Sequence, residues 1–207
     1  MSWRLSSKAR LSPWLELQRL KGAILKVTVD GVATELAAGA DGFGLLDLHQ
    51  ARLLREFGWR GPILLLEGIF SEAQLDECVS LQCEIVIHHS LQLEWILRWM
   101  ENSSELNKEA ALKRIRLWLK LNSGMNRLGL SSEDYRETFH QLHALGFSVN
   151  HLTHFANSDE LGVDPTVDSQ LERFEATTQS LPGDKSLANS GAILWHRHVL
   201  ADWCRPG

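Results

Sequence analysis

Lys120 and Arg127 flank a turn built on Asn122-Ser123-Gly124, while His154 and Arg205 each close an apolar run farther along the chain. A guanidinium at such a turn holds a carboxylate or phenolic oxygen in bidentate fashion, or makes an ordinary ion pair to a neighbouring loop. His154, preceded by Thr153, either donates to a bound ring or serves as a satisfied structural hydrogen-bonder. Lys26 also ends an apolar run. A partly desolvated lysine there has a lowered pKa and can form a Schiff base with an aldehyde cofactor; the plainer alternative is a rim lysine snorkelling to solvent. Asn189-Ser190-Gly191-Ala192 follows a strand-like run and opens a helical stretch. Its N–H groups and hydroxyl suit a phosphate, and an N-cap without a ligand fits the same pattern. His88-His89 and His196-Arg197-His198 lack a carboxylate or cysteine at ligand spacing, so neither is read as a metal site.

Elements that could carry these groups alternate along the chain. Apolar runs near 22–29, 42–46, 62–66, 84–87, 114–120, 148–154, 185–188 and 201–204 are separated by helical stretches near 47–57, 91–100, 132–145 and 168–179. A further helix, which Ser71 could cap, follows the third run. Short buried strands between helices indicate parallel βαβ units, and seven or eight of them point to a (β/α)8 barrel rather than a doubly wound sheet. In a barrel the chemistry sits at the C-terminal strand ends. Lys26, Glu67, His88, Lys120 to Arg127, His154, Asn189-Ser190 and Arg205 all fall there. Residues 1–20 show no clear period and are read as a poorly specified segment ahead of the barrel, 21–207.

At 207 residues and 44% hydrophobic, the chain can bury a substantial core. A net charge of -5 offers no basic field for nucleic acid. No apolar stretch reaches the length of a membrane span, and the N-terminus does not read as a secretory signal. Three cysteines in no zinc or disulfide pattern fit a reducing cytoplasm.

Several blocks together resemble the N-terminal barrel domain of the proteobacterial type of alanine racemase. They are Asp41 to Leu48, Gly58 to Gly68, Asn122 to Gly129, Thr153-His154-Phe155, Phe174-Glu175, Leu187 to Ser190 and Trp203 to Gly207. The resemblance implies a pyridoxal 5'-phosphate (PLP) barrel that interconverts L- and D-alanine, supplying D-alanine for peptidoglycan precursors, with a homodimer as the family's assembly. It also implies roles for individual residues. Arg127 would hold the cofactor's phenolic oxygen, with Lys120 orienting it as a carbamylated side chain. His154 would lie beneath the ring and pair with Arg205. Arg205 would face the pyridine nitrogen, and because a guanidinium keeps its proton, the ring stays a weaker electron sink. Asn189, Ser190 and Gly207 would surround the phosphate.

Two departures stand out. The family's Schiff-base lysine lies in a Lys-Ala-Asn-Ala-Tyr-Gly-His-Gly block, whereas the counterpart here is Lys26 in Lys26-Val27-Thr28-Val29-Asp30-Gly31. Family members also continue past Arg-Pro-Gly into a β-rich domain that supplies a catalytic tyrosine to the partner subunit. The only tyrosine here is Tyr135, expected on a surface helix. The expectation is therefore a cofactor-binding domain inactive alone, with an incomplete last strand and helix and an exposed seam. A non-catalytic PLP-binding module and a degenerate remnant are the alternatives.

Overall fold

Short, largely apolar runs become parallel strands in the computed structural model, which describes the backbone of residues 24–26 and all of residues 41–206. The strands are β1 (Ile24–Lys26), β2 (Gly42–Leu45), β3 (Ile63–Leu65), β4 (Glu84–Ile87), β5 (Arg116–Lys120), β6 (Ser148–Leu152), β7 (Lys185–Asn189) and β8 (Trp203–Arg205). They pair in chain order, each with the next and all parallel. The last strand comes back beside the first, so the sheet rolls into a nearly closed (β/α)8 barrel. The eighth strand, expected to be incomplete, is thus in place.

Helices fill the described connections: α1 (Leu48–Glu56), α2 (Gln74–Leu81), α3 (Ser90–Asn102), α4 (Glu105–Arg114), α5 (Ser132–Ala144), α6 (Val167–Thr178) and α7 (Ser190–Trp195). Side chains of Asp47, Ser104, Ser131 and Thr166 cap α1, α4, α5 and α6 by accepting from the N–H three residues on. Each such cap is worth about 1 kcal/mol. Ser71 is not a cap: α2 starts three residues later, and the Ser71 carbonyl accepts from the Gln74 N–H. Helix α4 was not anticipated, since only Ala111 of it is buried and it shows no apolar stripe. None of the described helices is long and apolar enough to cross a membrane.

Tyr135 departs from its expected surface position. It is fully buried on the inner face of α5 with Phe139 and Leu142, where its hydroxyl donates to His151 Nδ1 at 2.8 Å. The spacing of 135, 139 and 142 is that of one helical face packed on the barrel. Inside the barrel, Leu64, Val86, Trp118 and Leu152 form a separate apolar layer that Trp203 packs against. The Trp118 indole N–H reaches Glu84 Oε2 at 2.6 Å, which gives that buried carboxylate a partner. Side chains therefore fill the lumen at this layer.

Candidate functional site

A cavity of about 710 Å³ opens at the C-terminal ends of the strands. Its lining brings together Glu67, Lys120, Arg127, His154, Asn189 and Arg205, which come from the ends of five strands and one loop. Ser190 and Pro206 also line it.

Lys120 is the last residue of β5 and only 7% exposed. Burial, and then the charges of Arg205 and Arg127, push its pKa down to about 8, with Glu67 acting the other way. An ammonium so placed is close to releasing its proton at neutral pH. Arg127 rides on the loop that follows. That loop closes on itself, for the Leu130 N–H donates to the Lys120 carbonyl at 2.8 Å and the Asn122 N–H to the Leu130 carbonyl at 3.0 Å. Inside it, Asn122 Oδ1 accepts from the Asn126 N–H at 3.0 Å. Gly129 has φ +136°, and a Cβ there would come within 2.5 Å of the Asn122 nitrogen, so only glycine fits the closure. Thr153 ties this loop to the next strand: its hydroxyl donates to the Leu121 carbonyl and accepts from Ser123 Oγ at 2.7 Å.

Arg205, in the middle of this lining, is fastened by its own neighbours. The guanidinium donates to the Ser186 and Leu187 carbonyls at 2.8 and 3.3 Å and to the Thr153 carbonyl. Burial pushes its pKa down to about 10, partly offset by Cys204, so it remains a cation at neutral pH. Four contacts to carbonyl and hydroxyl oxygens fix its plane while leaving it open to the cavity.

Asn189 lines the cavity and caps the helix that follows it. Its Oδ1 caps the Ala192 N–H at 3.1 Å and accepts from Ser158 Oγ at 2.8 Å; its amide donates to the Phe155 carbonyl at 3.2 Å. The side chain thus shapes the wall and ties the loop after His154 to α7. Ser158 was missed in the sequence, although Gly191 is its mark: a Cβ on Gly191 would meet Ser158 Oγ at 2.6 Å. Asp159, also missed, contributes a second carboxylate to the lining besides Glu67.

Lys26 ends β1 in register with Gly44, a lining residue, so its backbone stands at the same rim. Its side chain lies outside the described residues, as does Gly207. His88 and His89 are used locally, His88 Nε2 toward the Glu67 carbonyl and His89 Nδ1 capping α3. His198 Nε2 meets Asp168 at 2.7 Å, a carboxylate thirty residues away in sequence. Among the described residues, no group of three or more histidines, cysteines and carboxylates is placed to hold a metal ion.

Sequence and fold comparisons identify the family. The family model for the N-terminal domain of alanine racemase matches residues 20–207. The chain belongs to the alanine racemase family. Alanine racemase of Delftia acidovorans is 39% identical over 178 residues, covering 84% of this chain and 46% of that protein. That of Cupriavidus necator is 42% identical over 171 residues, 82% of this chain and 42% of its relative. The solved alanine racemase of Acinetobacter baumannii superposes with a TM-score of 0.82 at 32% identity, covering 95% of this chain and 58% of that one. The chain thus spans about half the length of the curated relatives it matches. In this member of the family, Lys120, Arg127, His154, Asn189 and Arg205 converge at one rim, and the barrel supplies the wall that holds them.

Proposed function

We propose that this chain is the cofactor-holding barrel of an alanine racemase and that its rim cavity takes pyridoxal 5'-phosphate. The observation that carries this reading is the convergence of Lys120, Arg127 and Arg205 on one cavity. Three cations against two carboxylates make a site for an anion with several oxygens, and a volume of about 710 Å³ admits a substituted ring. Arg127 would hold the phenolic oxygen. Ser190 and the N–H groups at the start of α7 would meet the phosphate, with Asn189 holding that turn in shape. Arg205 would serve the ring nitrogen, and a guanidinium fixed by carbonyls with a pKa near 10 keeps its proton there. When bound, the cofactor withdraws electrons from an amino acid's α-carbon so that its proton can leave and return.

Lys26 is the proposed anchor and the base on one face. A base on the other face is required for two-sided proton transfer. Tyr135, the only tyrosine, does not serve as that base, because burial holds its phenol proton far more tightly than usual and the hydroxyl is committed to His151. Tyr135 is thus set aside as that base. That observation favours a second reading for the chain by itself, a PLP-binding module without turnover. The buried, unpaired Cys78, Cys83 and Cys204 suit a reducing cytoplasm.

Mixing the purified chain with PLP, reducing with borohydride and mapping the labelled lysine tests the reading. Stoichiometric label on Lys26, lost in Lys26→Ala, is expected; label scattered over surface lysines refutes it. Conversion of L- to D-alanine on adding a separately expressed C-terminal domain separates the racemase from the module.

A further inference from the structure

Gln170 is fully buried, on the face of α6 that it shares with Val167 and Phe174. A buried amide costs stability unless both its ends find partners. Its partners are all backbone groups of the loop that leads from β6 into α6. Gln170 Oε1 accepts from the Ala156 N–H at 2.9 Å, which fixes the amide's orientation because an N–H can only donate. The Nε2 hydrogens are shared among the carbonyls of Ala156, Pro165 and Thr166, each 3.1 Å away. One side chain thus ties the start of the 156–165 loop to its end. Asn157 adds a second tie across the same gap, donating from Nδ2 to the Asp164 carbonyl at 3.0 Å. Between these ties residues 159–164 are exposed, and Ser158 is left facing Asn189 Oδ1 at 2.8 Å.

The same helix face meets the other rim loop. A Cβ on Gly124 would come within 2.9 Å of Gln170 Cγ and 3.2 Å of Pro165 Cγ, so the Asn122-Ser123-Gly124 turn lies closer than a side chain at 124 would allow. Nearly one helical turn on, Arg173 Nη1 donates to the Ser123 carbonyl at 2.8 Å. Gln170 and Arg173 thus grip two loops from one side of α6, the one carrying Arg127 and the one carrying Ser158 and Asp159. Both loops line the cavity, whereas Gln170 and Arg173 do not. We propose that Gln170 and Arg173 are positioning residues for this cavity, a clamp that seats Ser158 against Asn189 and holds the Arg127 loop in step with it. The wall between Arg127 and the start of α7 is then set by α6 as well as by the strands. The proposal deepens the cofactor reading and rests on it for the ligand.

Hydrogen exchange of the intact chain, read by mass spectrometry, follows the clamp without cofactor. Gln170→Met keeps the side chain's length but makes none of its hydrogen bonds, and exchange across 155–166 should quicken by about tenfold. PLP affinity, from absorbance titration, should fall by about tenfold as well. The double variant with Ser158→Ala should bind PLP no more weakly than Gln170→Met alone, because both act through the Ser158–Asn189 contact. A role in stability alone would instead let the two losses multiply. Should Gln170→Met fail to fold, Arg173→Met, at an exposed position, decides the matter: exchange across 121–130 should quicken and PLP affinity fall. Unchanged exchange in the loop each variant releases, an unchanged PLP affinity, or losses that multiply in the double variant overturn the proposal. If exchange quickens as expected but the wild-type chain takes up no PLP, the cofactor reading fails and the clamp stands.

Discussion

Replacing Tyr135 by phenylalanine removes one oxygen from the interface between α5 and the barrel. The tautomer there is fixed by geometry. His151 Nε2 lies 3.1 Å from the Pro182 carbonyl, so it carries the proton, and Nδ1 accepts from the Tyr135 hydroxyl at 2.8 Å. Both residues are fully buried, so the variant leaves a buried acceptor without its donor. That costs about 1–3 kcal/mol. For a chain of this size, about 2 kcal/mol lowers Tm by about 4–8 °C. Thermal melts of Tyr135→Phe, His151→Leu and the double variant at pH 7.5 should show a coupling of about 1–2 kcal/mol. Additive losses within about 0.5 kcal/mol would refute the pairing. The same pair predicts a pH slope. Burial lowers the His151 pKa below its ordinary 6.5, so the unfolded chain binds the proton first as pH falls. Stability is full above pH 6.5 and declines below it, and His151→Leu should flatten that decline.

Other expectations follow from the site. Gly129→Ala should open the loop that presents Arg127 and cost about 1–3 kcal/mol, seen as faster proteolysis within 121–130; wild-type cleavage rates would count against the closure argument. Arg205→Ala should weaken PLP binding and alter the cofactor's absorbance, while an unaltered spectrum would remove Arg205 from the ring-nitrogen role. Ser158→Ala should loosen PLP binding by way of Asn189, and an unchanged affinity would show that the wall holds without that hydrogen bond.

How far the sequence reveals this molecule depends on the scale of the signal. Strands such as Ile63–Leu65 read clearly because burial on both faces leaves an apolar run to form them. The rim residues Lys120, His154 and Arg205 could be named because each closes an apolar run, and Arg127 because it flanks the turn after Lys120, while their individual roles rested on the family resemblance. Tyr135 was legible in principle, since Phe139 and Leu142 share its face, but a polar neighbourhood of Glu133, Asp134, Arg136 and Glu137 obscured it. Helix α4 was not legible, because it buries a single alanine and is held by its Ser104 cap and by surface pairs such as Lys113–Glu109. The Asn189–Ser158 bond joins residues thirty-one apart, and the spacing within each motif says nothing of that distance.

The two indoles of the lumen give the barrel an optical gauge of its own closure. Trp118 of β5 and Trp203 of β8 meet with ring centroids 6.4 Å apart and planes at 90°. Rings that close exchange excitation, and their joint signature in near-ultraviolet circular dichroism exists only while the last strand is seated. If β8 peels away before the other strands melt, that signal will fade ahead of the far-ultraviolet helix band. The order of those two events would record how the ring of strands comes apart.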